Sequence, residues 1–145
     1  MKLDIGEKGK TFHVEMDDES AKRLHGLKIG DEVDGSLLDA KFKGYKFQIT
    51  GLSNNAGFPG LKNVEGFALK RLLLTKGKGM SGRRSKDPKR INGLRLKKTV
   101  RGNTVAKDVA QINMKLIVGP KPLLELLGKT EKADPGADAA ETAEN

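Results

Sequence analysis

The sequence predicts a mainly β protein: a small antiparallel β-barrel of about six strands, with one or two short helices and a disordered acidic C-terminal tail. Three observations carry that expectation. Eighteen glycines are spread through 145 residues, a density that means frequent turns and short strands between them. Apolar residues recur at every second position in runs of three or four, the period of a strand with one buried face. From Lys129 onward no large apolar side chain occurs, and Ala133 to Asn145 holds four acids and no base, a composition that cannot bury a core. The expected organisation is a folded domain over 1–128 and a tail over 129–145.

Met1, Leu3 and Ile5 alternate with polar residues, as do Phe12, Val14 and Met16 beyond the turn residues Gly6 and Gly9. They predict two half-buried strands. Asp17 to Gly26 predicts a short helix, with Asp17 as its cap, Glu19 at the positive end of its dipole and Gly26 as its stop. Lys28-Ile29-Gly30-Asp31 predicts a turn, and Val33 to Leu38 a third strand. Tyr45, Phe47 and Ile49 give one apolar face to a strand from Lys43 to Thr50. The segment Gly51 to Gly60 predicts a structured turn, because Asn54, Asn55 and Gly57 tolerate positive φ and Pro59 fixes a bend.

Leu69, Leu72, Leu73 and Leu74 fit either period, and the glycines that bracket Gly66 to Lys76 favour a buried strand. Gly77 to Gly93 is nearly devoid of apolar residues and predicts a surface loop with no face to bury, mobile when free and ordered on binding. Leu94 to Val105 predicts a charged strand segment. Ile112, Met114, Leu116 and Val118 alternate with Gln111, Asn113 and Lys115, predicting a strand, and Pro122 to Leu127 predicts a short helix with proline in its first turn and Gly128 as its stop.

Charge is the functional signal. Between Lys70 and Lys107 lie fourteen lysines and arginines and one acid, Asp87, a local +13 in a chain of net charge +9. A solubilising surface intersperses both signs, whereas this block concentrates one. Six of its bases are arginine, whose planar fork grips phosphate bidentately, and the glycines among them permit close backbone approach. The pattern points to a phosphate backbone. One tyrosine, five phenylalanines and no tryptophan argue against a reader that stacks bases.

Other chemistries find little support. No cysteine is present, so disulfides, thiolate metal sites and a cysteine nucleophile are excluded, in keeping with a reducing cytoplasm. No apolar run approaches the ~20 residues of a membrane span, and the opening MKLDIGEKGK has no signal-peptide character; a soluble cytoplasmic protein is expected. Gly77, Gly79 and Gly82 spell GxGxxG, but Arg83-Arg84-Ser85-Lys86-Asp87-Pro88 follows where a dinucleotide site needs an apolar helix. His13 and His25 have no second ligand or nucleophile near them in sequence, and Asp17-Asp18-Glu19 cannot share one side of a helix. No catalytic residue, metal site, cofactor or small-molecule substrate is expected.

Ile49-Thr50-Gly51, the Asn54-Asn55 pair and Gly57-Phe58-Pro59 resemble the ITGG…D…GFPM signature of the S-six-e family of small-subunit ribosomal proteins. Lys97-Lys98-Thr99-Val100-Arg101-Gly102-Asn103-Thr104-Val105 resembles its RK(S/T)VRG block. The opening Met1-Lys2-Leu3, Arg71-Leu72-Leu73-Leu74 with Lys76-Gly77, the arginine-rich loop and Gln111-Ile112-Asn113 keep the family's order, so the resemblance spans nearly all of residues 1–118. Asn55 replaces the usual aspartate, Gly60 stands where methionine often follows the proline, and Gly93-Leu94 interrupts the arginine-rich lead. The chain looks like the short archaeal form, for which the resemblance implies no kinase regulation.

What the resemblance implies is a β-barrel docked on ribosomal RNA among neighbouring small-subunit proteins, cytoplasmic on the ribosome, monomeric when free, and not an enzyme. The RNA-binding residues expected are Lys76, Lys78, Arg83, Arg84, Lys86, Lys89 and Arg90 in the loop, with Arg95, Lys97, Lys98 and Arg101 on the following strand. Two alternatives remain open at this point: an architectural nucleic-acid-binding protein, and a ribosome-associated translation factor built on a similar barrel.

Overall fold

A computed structural model describes residues 1–84, 89–120 and 122–127. Strands β1 (Lys2–Glu7) and β2 (Lys10–Glu15) form a hairpin whose two-residue turn, Lys8-Gly9, has φ of 45° and 85°. Two left-handed residues give the turn whose twist matches that of the flanking strands. Helix α1 (Asp18–Arg23) follows. Asp17 occupies the N-cap position but its side chain makes no capping bond, so the helix is held mainly by burial of Ala21 and, just beyond it, Leu24.

The expected third strand stops early. Strand β3 is only Glu32–Asp34, because at Gly35 the backbone passes so close to Phe42 that a Cβ would lie 2.0 Å from its carbonyl oxygen. The chain turns there through two short 3-10 segments, Gly35–Leu37 and Ala40–Phe42. Strand β4 (Lys46–Asn54) instead runs past its expected end at Thr50, with a register shift between Ile49 and Gly51 that leaves Thr50 as the extra residue of an irregularity.

The remaining elements are β5 (Leu69–Leu74), β6 (Leu96–Arg101), β7 (Val109–Val118) and α2 (Leu123–Leu127). Five strands form one sheet in the order β2-β1-β7-β4-β3, with β7 parallel to β1 and antiparallel to β4. The barrel expected from the sequence does not form: β5 and β6 make a separate two-stranded ribbon, whose Arg101 also bridges to Gly60 outside the strands. Lys70, Arg71, Lys97 and Lys98 on that ribbon are all exposed, and Leu74 and Val100 on its half-buried side lie against the Gly79 turn of its own loop and Pro59 nearby, not against another strand of the sheet. Nor is β5 the buried strand its leucines suggest, since Leu69 and Leu73 are 50% and 57% exposed.

The core lies on one face of the sheet. Leu3, Ile5, Phe47, Ile49, Ile112 and Met114 bury there, covered by Leu24, Leu38 and Phe42. Phe42 meets Phe47 edge-on with ring centroids 5.7 Å apart, a favoured aromatic geometry. Leu123 anchors α2, its backbone N–H donating to Glu7 Oε2 at 2.8 Å. The expected tail over 129–145 and the stop at Gly128 lie outside the described residues.

Candidate nucleic-acid interface

Pairing of β5 with β6 sets Arg71 opposite Thr99, Leu72 opposite Lys98 and Leu73 opposite Lys97. Successive residues of a strand point to opposite faces, so Arg71 and Lys97 share one face of the ribbon while Lys70 and Lys98 share the other. Lys70 and Lys98 share their face with Leu72, Leu74, Leu96 and Val100, of which Val100 is buried. Arg95 is exposed just before β6. Lys70 and Arg71, which the sequence places at the edge of a buried strand, stand beside the expected residues; their interruption of the leucine run is the signal that could have found them.

The loop after β5 is more structured at its base than its composition suggests. Gly77 N–H donates to the Met80 carbonyl and Met80 N–H to the Gly77 carbonyl, at 2.9 and 3.0 Å, making a tight turn. Met80 is 4% exposed, so this segment does bury an apolar group. Gly79, with φ of 84°, lies close to Pro59, Leu74 and Val100. Ile91 N–H then closes the loop by donating to the Gly82 carbonyl at 3.0 Å. Lys76, Arg83, Arg84, Lys89 and Arg90 are exposed around this staple. Lys78 is exposed too, with its Nζ donating to the Thr50 carbonyl at 3.0 Å. Lys86 lies outside the described residues.

Arg101 requires a correction. It is expected at the surface, yet it is 0% exposed. Its Nε and Nη2 donate to the two carboxylate oxygens of Asp108 at 2.8 and 2.6 Å, and Nη1 donates to the Thr104 carbonyl at 2.5 Å. A guanidinium so enclosed has its donors turned inward and is not available to phosphate. The hydrogen bond from Arg101 holds the Asp108 carboxyl below its ordinary value, against the opposing effect of burial. Asp108 itself is 48% exposed.

The backbone around Arg101 joins ribbon to sheet. Arg101 N–H donates to the Pro59 carbonyl at 2.9 Å, Leu61 N–H to the Arg101 carbonyl at 3.1 Å, and Gly60 N–H to the Leu52 carbonyl at 2.8 Å. Pro59 to Leu61 thus bridges the end of β4 to the end of β6. The turn before it is closed by Asn54, whose Oδ1 accepts from Phe58 N–H at 2.8 Å. The Gly57-Phe58-Pro59 turn and the Val100-Arg101-Gly102 block, some forty residues apart, are one junction in space.

Gly102 belongs to that junction by necessity, since a Cβ there would lie 1.9 Å from the Gly66 carbonyl oxygen. Gly102→Ala is therefore expected to cost about 1–3 kcal/mol through overpacking, read as a lower urea midpoint with an unchanged slope.

Among the described residues no cluster of three or more His, Asp or Glu could hold a metal ion, and no helix is long and apolar enough to cross a membrane. The family model for ribosomal protein S6e matches residues 1–128. Small ribosomal subunit protein eS6 of Methanothermobacter thermautotrophicus is 43% identical over 132 residues, covering 90% of this chain and 98% of that protein. Its counterpart in Methanosphaera stadtmanae is 39% identical over 132 residues, covering 90% and 95%. That in Methanocaldococcus jannaschii is 40% identical over 121 residues, covering 83% of each. With likeness extending through both halves of the Pro59–Arg101 junction and across nearly the whole described fold, the chain belongs to the ribosomal protein S6e family.

Proposed function

We propose that this protein is a structural constituent of the small ribosomal subunit, resident on cytoplasmic ribosomes, where it grips ribosomal RNA among neighbouring subunit proteins. The observation that carries the reading is membership of a family whose relatives over most of this length are named small ribosomal subunit proteins. The exposed cations supply the mechanism. Lys76, Lys78, Arg83, Arg84, Lys89, Arg90, Arg95, Lys97 and Lys98 meet phosphates along the loop and ribbon, with Lys86 assigned to the same set from sequence. Arg101 acts behind them by fixing the ribbon to the sheet. Few aromatic rings favour recognition of RNA shape and phosphate spacing over base stacking. The free protein is a monomer, and it neither turns over a small-molecule substrate nor requires a cofactor.

Sedimentation tests the assignment: one copy per small subunit should remain after a high-salt wash, whereas release of the protein would indicate a dissociable factor. Arg83→Ala combined with Arg84→Ala should weaken binding to ribosomal RNA several-fold and lower the salt slope by about two, while the melting temperature stays within about 1–2 °C of the parent because both side chains are exposed. A large drop in melting temperature would make these arginines structural.

A further inference from the structure

Where β1 begins and β4 ends, the surface sinks into an open groove of about 1180 Å³. Among the described residues its charged lining has one sign, Lys2, Lys22 and Lys107 with His25 beside them, while the Asp4 carboxylate is tied up at the edge by lining Gln111. None of the three lysines has an ion-pair partner among the described residues. Ser53 and Gln111 add neutral hydrogen-bonding groups. The volume exceeds the roughly 300–1,000 Å³ of a small-molecule pocket, and an open, cationic trough suits an extended anion better than an enclosed ligand.

The sequence conceals this arrangement. Lys2 and Lys22 lie in a stretch, residues 1–40, with ten acids and six bases, and Lys107 ends the basic block. Folding gives several of those acids hydrogen-bond partners, Asp4 at the groove's own edge through Gln111. Asp4 takes His13 and Gln111, Glu7 takes the Leu123 N–H, and Asp31 takes the Lys28 N–H.

A run of hydrogen-bonded residues leads from the base of the basic loop to the edge of the groove. Lys78 rests on the Thr50 carbonyl, Thr50 Oγ1 donates to the Asn113 carbonyl at 3.1 Å, and Gln111 Nε2 donates to Asn113 Oδ1 at 2.9 Å. Gln111 in turn lines the groove. We infer that this groove is a second seat for RNA phosphate, receiving a strand that runs from the loop over the exposed face of the sheet; the inference rests on the function proposed above. RNA is favoured over an acidic protein segment because the path continues from a cationic loop and ribbon already suited to phosphate.

Lys22→Gln with Lys107→Gln in the full chain tests it, probed with small-subunit ribosomal RNA. Both side chains are exposed, so the melting temperature reports that folding is intact. The log–log salt slope should fall by about two, one for each phosphate no longer neutralised. Hydroxyl-radical footprinting should lose protection at nucleotides different from those released by Arg83→Ala with Arg84→Ala. A salt slope and footprint equal to the parent's overturn the second seat, while a weakened loop variant in the same experiment leaves the proposed function standing. Loss of protection confined to the loop's own nucleotides also overturns it. Failure of the unsubstituted protein to bind this RNA overturns both readings.

Discussion

Asp108→Ala is expected to destabilise this protein more than any substitution among its exposed cations. The change strands the Arg101 guanidinium, which is 0% exposed and gives two of its hydrogen bonds to that one carboxylate. Removing one partner of a buried pair typically costs about 3–5 kcal/mol, because the other charge is left without compensation. Asp108 is itself 48% exposed, so water can enter where the carboxylate stood, and the lower end of that range is expected. Even so, about 3 kcal/mol is a large share of the roughly 5–15 kcal/mol that holds a domain together.

Arg101→Met should cost less. It leaves Asp108 half hydrated and fills part of the vacated space with an apolar chain. Urea unfolding of the two variants checks the order, and a smaller loss for Asp108→Ala than for Arg101→Met would contradict the assignment of the buried charge. The same pair sets a pH dependence. Asp108 has its folded pKa lowered from 3.8; its contribution is therefore fully present above 3.8 and is lost as pH falls through the lower folded value. The stability gap between the parent and Asp108→Ala should narrow across that acid window.

The second large effect concerns binding. If between six and ten of the exposed cations neutralise phosphates, affinity for small-subunit ribosomal RNA should fall about 10³- to 10⁵-fold between 50 and 200 mM salt. Filter binding or fluorescence anisotropy across that range measures it. A nearly flat titration would overturn the electrostatic mechanism. Asp108→Ala, assayed at a temperature where it remains folded, should keep a parent-like slope, because Arg101 is buried and lies outside the proposed set of phosphate-binding cations.

Most strands are legible in the sequence because each carries its own evidence. Ile112, Met114, Leu116 and Val118 need only alternate to declare β7. Closure is not legible in the same way. Whether β5 and β6 complete a barrel depends on what their faces can bury together, and Leu69 and Leu73 look the same in sequence whether covered or exposed. Met80 is a similar case: one methionine among glycines and cations gives no periodicity, yet it anchors the base of the loop.

Arg101 escapes sequence reasoning for a different reason. It sits in a block where every neighbouring base is exposed, and charge alone assigns it to the surface with them. The distinguishing feature is Asp108, seven positions later, which has meaning only once the chain turns back at Gly102–Asn103. Conversely, Lys2 and Lys22 give no sequence signal because they lie among acids in the chain, and only folding sets them beside Lys107.

Strand order also constrains when this protein can fold. β7 is the last strand in the chain and fills the centre of the sheet, between β1 and β4, so that Asp4 finds Gln111 across 107 positions. While the chain is being synthesised, β1 and β4 have no partner between them until residues 109–118 have emerged. The ribbon β5–β6 has no such wait, for its two strands are consecutive in the chain and need no later strand in order to pair. The cation-bearing ribbon can thus pair before the central strand that completes the five-stranded sheet has been made.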